Sequence, residues 1–564
     1  MLAVVELNIA SCCAAIADAH PDRDALVWRR RRRTWAETAD RIARFAAVLA
    51  AAGLGRHRDR AELAGWMSGQ DHVALYLHNR PEYLEAMVGS YAGACAPVNV
   101  NYRYTRAELA YLFNDSAARA VVFTSTFAPA MSEVLPILDH RPALLLQVPD
   151  DSGHPLLDGA IDFEEALAAA EPLDPASPST PRSSRPDPDD LYICYTGGTT
   201  GAPKGVLWRQ GDFVVSALGV RRRDGADFAT LDELVATTAA TRLRALPAPP
   251  LMHGAAHWNA LSCWLAGGTV LIQDHTDHLD AADVLGTVAR ERATSLLIVG
   301  DSFARPLLEE IDRATDDGTP YDLTSLRYIL SGGAILSAPI KERLVHIAGG
   351  PEGGPTVVDV LGSTESGRQA VSKRSGDSVG GGFTPSSTAA LLTDDRRAVL
   401  PPGDTSVGWL TQTGRVPLGY LGDPAKTEAT FPVIDGVRHA VAGDRARWRD
   451  DGAIELLGRE SVCINTGGEK VFAEEIEVTL TSHPAVRDAV VCGRPSQRWG
   501  SEVVAVVELQ PGRDVDTATL RDHCKQTLAP YKAPRDVVFV ERVLRSPSGK
   551  ADYRWAEALV RRDP

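Results

Sequence analysis

A segment rich in glycine and threonine, Tyr195–Gly205, follows the apolar run Leu191–Cys194. The apolar run predicts a buried strand, and the segment after it contains four glycines, three threonines and one lysine. Glycines let several backbone N–H groups point at one place, and hydroxyls and an ammonium add donors there. This arrangement is typical of a polyphosphate site, although no Gly-Lys-Ser/Thr closes the Walker pattern. A flexible surface loop is the alternative, but flexibility alone does not require a lysine or consecutive hydroxyls.

Length, charge and cysteine usage bound the class of protein. The 564 residues are enough for more than one domain, and a net charge of -15 disfavours nucleic-acid binding and docking on anionic membranes. No apolar stretch reaches the roughly 18 residues that predict membrane insertion. The eight cysteines form no Cys-x-x-Cys pair and most lie in apolar runs. We therefore expect buried free thiols and a cytoplasmic location.

Helix and strand patterns alternate along most of the chain. Thr34–Glu37 is a capping box that opens an amphipathic helix, and strand and helix patterns alternate over 72–124. The alternation resumes after a Pro/Ser/Asp-rich linker at 172–190. It predicts an α/β fold with parallel sheets covered by helices. From about Pro385 short strands and turns predict a β-rich unit, and 460–564 predicts a compact α+β unit.

The basic run Arg29–Arg33 is the strongest superficial indication of nucleic-acid binding. Acidic residues lie nearby and no aromatic residues alternate with the arginines. We therefore predict a solvated hairpin turn here.

The segment Asp359–Glu365 directly follows a predicted strand. In open parallel sheets ligands bind where strands end, and a carboxylate beside a hydroxyl can hold Mg²⁺ against phosphate oxygens. The alternative is a helix N-cap with Glu365 in the first helical turn, and the two interpretations are compatible.

Three later motifs are weak alone. Gly443-Asp444 and Gly458-Arg459 flank a predicted hairpin, where a carboxylate could bind ribose hydroxyls and an arginine could bind phosphate. Ile464–Glu477 contains a Gly-Gly turn before a helix with an acidic first turn. Ser546–Lys550 places a lysine behind a Pro/Gly turn near the chain end, where a surface lysine is the default interpretation.

The five motifs in this order and spacing resemble the adenylate-forming superfamily, which includes acyl-CoA synthetases, peptide-synthetase adenylation domains and firefly luciferase. The resemblance covers essentially the whole chain. It implies a large N-terminal AMP-binding domain at 1–459, with two α/β subdomains and a β-rich subdomain, and a small mobile α+β C-terminal domain at 460–564.

The resemblance also implies roles for individual residues. Lys204, Thr364, Glu365 and Lys550 would act in catalysis, with Glu365 also holding Mg²⁺ and Lys550 bridging the carboxylate and the α-phosphate. The remaining nucleotide-binding residues would be Thr196, Gly197, Gly198, Thr199, Thr200, Gly201, Gly332, Gly333, Ala334, Asp359, Leu361, Gly362, Ser363, Asp444 and Arg459.

The implied chemistry is attack by a substrate carboxylate on the α-phosphorus of ATP, with release of pyrophosphate. The small domain then rotates and brings the Gly467-Gly468 loop to a thiol acceptor, which for an acyl-CoA synthetase is coenzyme A. Three positions depart from the usual pattern. Leu361 replaces an aromatic residue that covers adenine, Ser461 replaces the usual Asp or Lys hinge residue, and Ala442 precedes Gly443 where a threonine is common. No phosphate-binding group is lost, so we expect an active enzyme.

A narrower resemblance, to actinobacterial fatty-acyl and steroid side-chain CoA ligases, rests on Pro250–Trp258, Val462–Phe472 and Lys532–Arg535. It implies that His253, His257 and Trp258 line the acyl pocket. For His253, a loop histidine that only bonds backbone is an equally weighted alternative.

Three functions follow. The first is a carboxylate–CoA ligase acting on a small-molecule acid. The second keeps adenylation but uses a carrier-protein thiol, or nitrite in aryl-amine diazotisation, as the acceptor. The third is a nucleotide-binding module without turnover, against which the set of charged motif residues argues. The sequence leaves the acid undefined, and a homodimer is the working expectation for the oligomeric state.

Overall fold

The structure is a computed structural model of the chain and describes residues 6–196, 202–347, 354–374, 382–466, 469–496, 498–546 and 549–561. Within these ranges no helix combines the length and the apolar character needed to cross a membrane.

The helices alternate with strands through most of the chain. In chain order they are α1 (Ile9–Ala19), α2 (Trp35–Ala51), α3 (Pro81–Ala92), α4 (Arg106–Asp115), α5 (Ala128–Val134), α6 (Phe163–Ala169), α7 (Gln210–Ser216), α8 (Leu231–Thr238), α9 (Gly254–Leu265), α10 (Ala281–Glu291), α11 (Gly300–Asp316), α12 (Ala338–Leu344), α13 (Pro424–Thr430), α14 (Ala473–Thr481), α15 (Thr517–Thr527) and α16 (Tyr553–Val560).

The strands are short in the first half of the chain and longest near its end. In chain order they are β1 (Asp24–Trp28), β2 (Arg31–Thr34), β3 (His72–Tyr76), β4 (Ala96–Asn99), β5 (Ala118–Thr124), β6 (Leu144–Val148), β7 (Ile161–Asp162), β8 (Leu191–Thr196), β9 (Lys204–Arg209), β10 (Arg244–Pro247), β11 (Thr269–Ile272), β12 (Ser295–Ile298), β13 (Tyr328–Gly332), β14 (Thr356–Ser363), β15 (Gly367–Arg374), β16 (Thr384–Pro385), β17 (Ala389–Leu392), β18 (Val399–Leu400), β19 (Gly408–Gln412), β20 (Gly419–Tyr420), β21 (Val433–Ile434), β22 (Val437–Arg438), β23 (Asp444–Trp448), β24 (Ile454–Arg459), β25 (Cys463–Thr466), β26 (Glu469–Phe472), β27 (Val486–Ser496), β28 (Gly500–Leu509) and β29 (Asp536–Val540).

Two mainly parallel sheets form most of the large domain. The first has the order β16-β15-β14-β13-β12-β10-β11-β1-β2, parallel from β14 to β1 with antiparallel strands at both edges. The second, β4-β3-β5-β6-β7, is parallel throughout. Parallel strands need crossover connections, which the alternating helices provide. The predicted α/β class with two α/β subdomains is confirmed.

Smaller antiparallel units complete the large domain. The sheet β18-β17-β19-β23-β24 is the predicted β-rich unit. A three-stranded sheet, β20-β9-β8, lies between the larger units and carries Lys204 at the start of β9. Strand β9 is missing from the sequence-based expectation, which resumes with a helix after the glycine-rich loop.

Helix α2 forms as its sequence pattern predicts. Thr34 Oγ1 accepts a hydrogen bond from the Glu37 N–H while the Glu37 carboxylate accepts one from the Thr34 N–H, which completes the capping box. The helix buries Ile42, Phe45 and Leu49 on one face against the main core.

The arginine run forms the turn and second strand of the β1–β2 hairpin, as predicted. Arg32 donates to Glu291 at 2.6 Å and to Asp24 at 3.0 Å, and Arg33 pairs with the buried Glu85. Carboxylates of the same chain therefore neutralise the run.

The small domain is a five-stranded sheet covered on both faces. The order is β26-β25-β28-β27, and β29 pairs in parallel with β28. Helices α14 and α15 pack on one apolar face and α16 on the other. The buried helix α14 also carries two acidic side chains, Glu474 and Glu477, one turn apart.

Burial raises the pKa of Glu477 to about 8, and the neighbouring Glu474 adds to this rise. Because the folded-state pKa lies above the ordinary value of 4.5, the folded state binds the proton more tightly than the unfolded chain. This contribution to stability is present at acidic pH and is lost as the pH rises toward 8.

We expect Glu477→Gln to stabilise the protein relative to wild type at pH 8.5 by on the order of 1 to 3 kcal/mol, with little difference at pH 5. Thermal denaturation at the two pH values measures this. An equal shift in Tm at both pH values would contradict the assigned protonation.

Candidate active site

The glycine-rich segment joins β8 to β9 in the chain, and these two strands pair antiparallel. Thr196 ends β8 directly opposite Lys204, which begins β9. The predicted phosphate-binding residues Gly197, Gly198, Thr199, Thr200 and Gly201 lie outside the described residues. Lys204 Nζ forms an ion pair with the Asp423 carboxylate, and this hydrogen bond lowers the pKa of Asp423. The lysine is thus held at the base of the loop by a residue more than 200 positions away.

Thr364 and Glu365 lie in the turn of the β14–β15 hairpin. The alternative prediction of a helix N-cap at this position is wrong, because residues 367–374 extend as a strand that pairs with β14. Gly362 is needed at this turn, since a Cβ there would collide with the Gly367 carbonyl.

Two aromatic side chains fix this turn. Trp208 Nε1 donates to the Thr364 carbonyl at 2.9 Å, and the Tyr420 hydroxyl donates to Glu365 at 3.1 Å. Ser363 is tied within the turn by a hydrogen bond from its N–H to Ser366 Oγ at 3.2 Å. Glu365 is partly exposed, so its carboxylate is accessible from the cleft.

Gly332 is the last residue of β13 in the parallel sheet, and Gly333 and Ala334 follow it. Such strand ends are where open α/β sheets bind ligands. Gly333 has φ +84, and a Cβ added there would lie 3.9 Å from Lys550 Cε. The Lys550 side chain therefore lies within van der Waals reach of the end of β13.

The predicted adenine-site residues of β14 have partners within the protein. Asp359 forms an ion pair with Lys341 at 2.7 Å; burial raises the Asp359 pKa and the lysine opposes this rise. Leu361 is buried in the apolar core that β14 shares with the β-rich unit.

Asp444 and Arg459 are cross-strand neighbours at one end of the β23–β24 hairpin, whose predicted turn at 450–452 is confirmed. Arg459 Nε donates to Asp444 Oδ1 at 3.1 Å. Asp444 is buried, and its charge is the main reason that the Arg459 pKa is raised. The Arg459 N–H donates to Glu474 of the small domain at 3.3 Å, and burial raises the Glu474 pKa to about 7.

Lys550 extends from the small domain toward these charges. Desolvation lowers its pKa, the positive Arg459 lowers it further, and Glu365 and Asp444 oppose the shift. The side chain stays solvent-accessible because the cleft is open, while protein on several sides reduces its hydration.

The close approach of the two domains at Lys550 depends on the preceding glycine. A Cβ at Gly549 would overlap Ser302 Oγ and lie 3.1 Å from the Val299 carbonyl oxygen. The structure therefore brings Lys550, Glu365, Asp444, Arg459 and the end of β13 together from both domains.

The three predicted acyl-pocket residues lie at the start of α9 and have different environments. His257 is fully buried, with Nδ1 donating to the Leu251 carbonyl at 2.8 Å and Nε2 accepting from the Tyr192 hydroxyl. Trp258 Nε1 donates to the same hydroxyl at 2.5 Å. His257 therefore supports the wall of the site, and burial lowers its pKa to about 4.

His253 is the N-cap residue of α9, and its Nε2 is buried with no hydrogen-bond partner among the described residues. Burial, and then the charge of Lys550, lower its pKa to about 3. The next residue along, Gly254, lies against Thr364, since a Cβ there would be 3.6 Å from Thr364 Oγ1. His253 thus presents a neutral imidazole beside the reaction centre.

The segment between the domains contains Ser461, the predicted hinge, within a one-turn 3₁₀ helix at Glu460–Val462. The predicted acceptor-loop residues Gly467 and Gly468 lie outside the described residues.

Sequence patterns missed four supporting residues: Tyr192, Trp208, Tyr420 and Asp423. Each holds a predicted functional residue through a contact that is distant in sequence. The only local signal was at Gly419–Pro424, where a turn precedes the start of a helix. This pattern predicts local secondary structure but does not predict a ligand site.

We expect Tyr192→Phe to destabilise the protein by about 1 to 3 kcal/mol, because it leaves His257 Nε2 and Trp258 Nε1 buried without their shared partner. Chemical denaturation measures the loss. Tyr321→Phe, which removes a 2.6 Å hydrogen bond to Glu310 at the surface, is the matched control with a smaller expected effect. Equal losses in the two variants would contradict the role of Tyr192.

The chain matches two family models: AMP-binding enzyme over residues 13–421 and AMP-binding enzyme C-terminal domain over residues 475–550. It is 47% identical over 554 residues to the medium-chain acyl-CoA ligase Mig of Mycobacterium avium, covering 97% of each chain.

It is also 36% identical to a Mycolicibacterium smegmatis medium/long-chain-fatty-acid/3-oxocholest-4-en-26-oate CoA ligase, covering 99% of this chain and 97% of that one. The fold is similar to that of the anthranilate CoA ligase AuaEII in complex with anthranoyl-AMP, with a TM-score of 0.78 at 20% identity, covering 99% of this chain and 98% of that chain. From the site geometry and these matches, the chain belongs to the AMP-binding enzyme family.

Proposed function

We propose that this protein is an AMP-forming acyl-CoA ligase that activates a medium-chain carboxylic acid with ATP and transfers the acyl group to coenzyme A. The observation that carries the proposal is the position of Lys550, which reaches from the small domain to the end of β13 and shares its cleft with Glu365, Asp444 and Arg459.

In the first half-reaction the substrate carboxylate attacks the α-phosphorus of ATP, and pyrophosphate leaves. Lys204, at the base of the glycine-rich loop, binds the leaving pyrophosphate. Lys550 pairs with the negative charge that builds up between the carboxylate and the α-phosphate, and Thr364 donates its hydroxyl to the same phosphate. Fixed positive charge at these points is the main contribution of the protein to the rate.

Asp444 and Arg459 bind the ribose side of the nucleotide. Asp444 Oδ1 already accepts from Arg459, which leaves its second oxygen for a ribose hydroxyl. The segments Gly332–Ala334 and Asp359–Ser363 border the adenine.

Glu365 fits a hard divalent cation, because it offers carboxylate oxygens to the cleft and only one of them accepts from Tyr420. No group of three or more potential metal ligands occurs among the described residues, so the substrate phosphates would supply the other ligands. When bound, Mg²⁺ neutralises phosphate charge.

In the second half-reaction the thiol of coenzyme A attacks the acyl carbonyl and AMP leaves. The domain division at 459/460, rotation about Ser461 and presentation of the Gly467-Gly468 loop are parts of this proposal. The eight cysteines are free thiols, which supports a reducing cytoplasmic location. The proposal of a homodimer rests only on the oligomeric state that is commonly expected for such enzymes. Light scattering tests it.

The choice of a medium-chain acid rests on the sequence similarity of this chain to ligases that are named for their substrates. The relative named as a medium-chain ligase is 47% identical to this chain, and relatives named for steroid acids are 36% identical. The neutral His253 and the rigid Tyr192–His257–Trp258 group border the position of the activated carboxylate and suit an uncharged acyl chain.

We expect Lys550→Ala to lower the rate of acyl-adenylate formation by at least about 100-fold, because a charge that acts in the transition state is removed. Thioester formation from preformed acyl-adenylate is expected to remain near wild type. Separate assays of pyrophosphate release and of acyl-CoA formation measure the two steps. Equal loss of both would contradict the role of Lys550.

We expect C6 to C12 fatty acids to give the highest kcat/KM in a panel that includes a steroid side-chain acid and aromatic acids, each assayed with and without coenzyme A. One methylene in an apolar pocket changes discrimination by about 1 to 3 kcal/mol, so neighbouring chain lengths should be resolved. AMP formation without acyl-CoA from every acid would overturn the ligase assignment, and preference for the steroid acid would overturn the chain-length assignment.

A further inference from the structure

The short segment Gly419–Asp423 contacts two of the charged groups assigned to adenylation. Strand β20 pairs with β9, and the Leu421 N–H donates to the Gly205 carbonyl at 2.8 Å. These backbone hydrogen bonds place the segment beside Lys204, the first residue of β9.

Asp423 uses each carboxylate oxygen for a different task. Oδ1 accepts the Lys426 N–H at 2.8 Å and so caps α13, while Oδ2 pairs with Lys204 Nζ. The cap fixes the orientation of the carboxylate, and the carboxylate in turn fixes the ammonium. The hydrogen bond from Lys204 lowers the pKa of Asp423, so the pair is ionic at neutral pH.

Tyr420 holds the second charged group. Its ring is buried against Phe431, and its N–H donates to Thr427 Oγ1 at 2.9 Å. The Tyr420 hydroxyl donates to Glu365 at 3.1 Å.

We infer that Tyr420 and Asp423 are positioning residues for adenylation: Asp423 aims Lys204 at the leaving pyrophosphate, and Tyr420 orients the Glu365 carboxylate, which would hold Mg²⁺. The inference deepens the proposed function and rests on it. In this inference the segment Gly419–Asp423 aligns both Lys204 and Glu365, which belong to different sheets.

The physical need for such positioning follows from the lysine side chain. A partly exposed lysine has four rotatable bonds, and ordering it at the moment of reaction would add to the barrier. An ammonium has three donors, so Lys204 can keep its bond to Asp423 and still donate to phosphate oxygens. Alignment before the reaction removes that cost, and misplacement by about 1 Å can slow a reaction by roughly 100-fold.

The first test separates the two half-reactions. We expect Asp423→Ala to slow pyrophosphate release by about 10- to 100-fold and to leave acyl-CoA formation from preformed acyl-adenylate unchanged, because no pyrophosphate takes part in that step. Asp423→Asn keeps a side-chain oxygen for the cap and should recover part of the rate. Equal slowing of both half-reactions would overturn the role of Asp423.

A double-mutant cycle with Lys204→Ala tests whether Asp423 acts through the lysine. In the Lys204→Ala background, Asp423→Ala should have almost no further effect on pyrophosphate release. Full additivity of the two substitutions would overturn the inference.

Asp516→Ala is the matched control for the lost helix cap. Asp516 accepts the Thr519 N–H at 2.8 Å at the start of α15, with the same spacing as Asp423 and Lys426. It should lower Tm as much as Asp423→Ala does while leaving pyrophosphate release intact. A comparable loss of pyrophosphate release in Asp516→Ala would assign the Asp423 effect to the cap and overturn the inference.

Tyr420→Phe tests the second contact through binding. We expect the Mg²⁺ concentration that supports half-maximal ATP binding, measured by calorimetry, to rise about 10-fold, and Tyr321→Phe to leave it unchanged. An unchanged Mg²⁺ requirement in Tyr420→Phe would overturn the role of Tyr420. The wild-type enzyme, assayed in parallel for acyl-CoA, tests the proposed function separately. If the ligase assignment is wrong, the wild-type enzyme forms no acyl-CoA, and this result is seen before any variant is compared.

Discussion

Two carboxylates and two cations share the cleft between the domains, and the arrangement of the site depends on their balance. Asp444 and Arg459 neutralise each other at 3.1 Å, while Glu365 and Lys550 approach the cleft from different domains. In the proposed function a carboxylate substrate and ATP together bring a large negative charge into this space. The cations offset that charge in a partly desolvated site, where each ionic interaction is stronger than in water.

Two antiparallel hairpins make this arrangement possible, one at the edge of the mainly parallel sheet and one in the β-rich unit. The β14–β15 turn carries Glu365 and the β23–β24 hairpin carries Asp444 and Arg459. The β23–β24 register places Asp444 and Arg459 face to face, and contacts from Trp208 and Tyr420 fix the turn that carries Glu365. The sheets hold the backbone rigid, and the two hairpins fix where the charged side chains lie.

The sequence predicted the alternation of helices and strands well, because hydrophobic period and capping residues are local signals. The alternation over 72–124 and the capping box at Thr34 match the structure. At Thr364–Glu365 the local pattern also suited a helix N-cap, and no local signal predicted the hairpin turn that forms there. Pairing of 367–374 with β14 decided it, and that contact is tertiary.

The sequence predicted only those residues of the candidate site that belong to a recognised motif. His257 has the same local pattern as a ligand-facing histidine, yet both of its nitrogens are satisfied by partners inside the protein, one of them 65 residues away in sequence. Asp423 and Tyr420 lie in a segment whose local pattern is an ordinary turn and cap. Residues that position others are selected by three-dimensional contacts, which leave little trace in local sequence.

The orientation of the small domain follows from the same balance of charge. Apart from the contacts around the nucleotide cleft, Arg487 pairs with Glu309 across the domains at 2.8 Å, and the Glu309 side chain is half exposed. An exposed pair of this kind contributes about 0 to 1 kcal/mol. In the proposed function the domains rotate between the two half-reactions, and a contact of this strength would add little resistance to that rotation. The charge on the bound substrate and its contact with Lys550 would then favour the orientation for adenylation, and release of pyrophosphate would remove part of that charge before the domain turns.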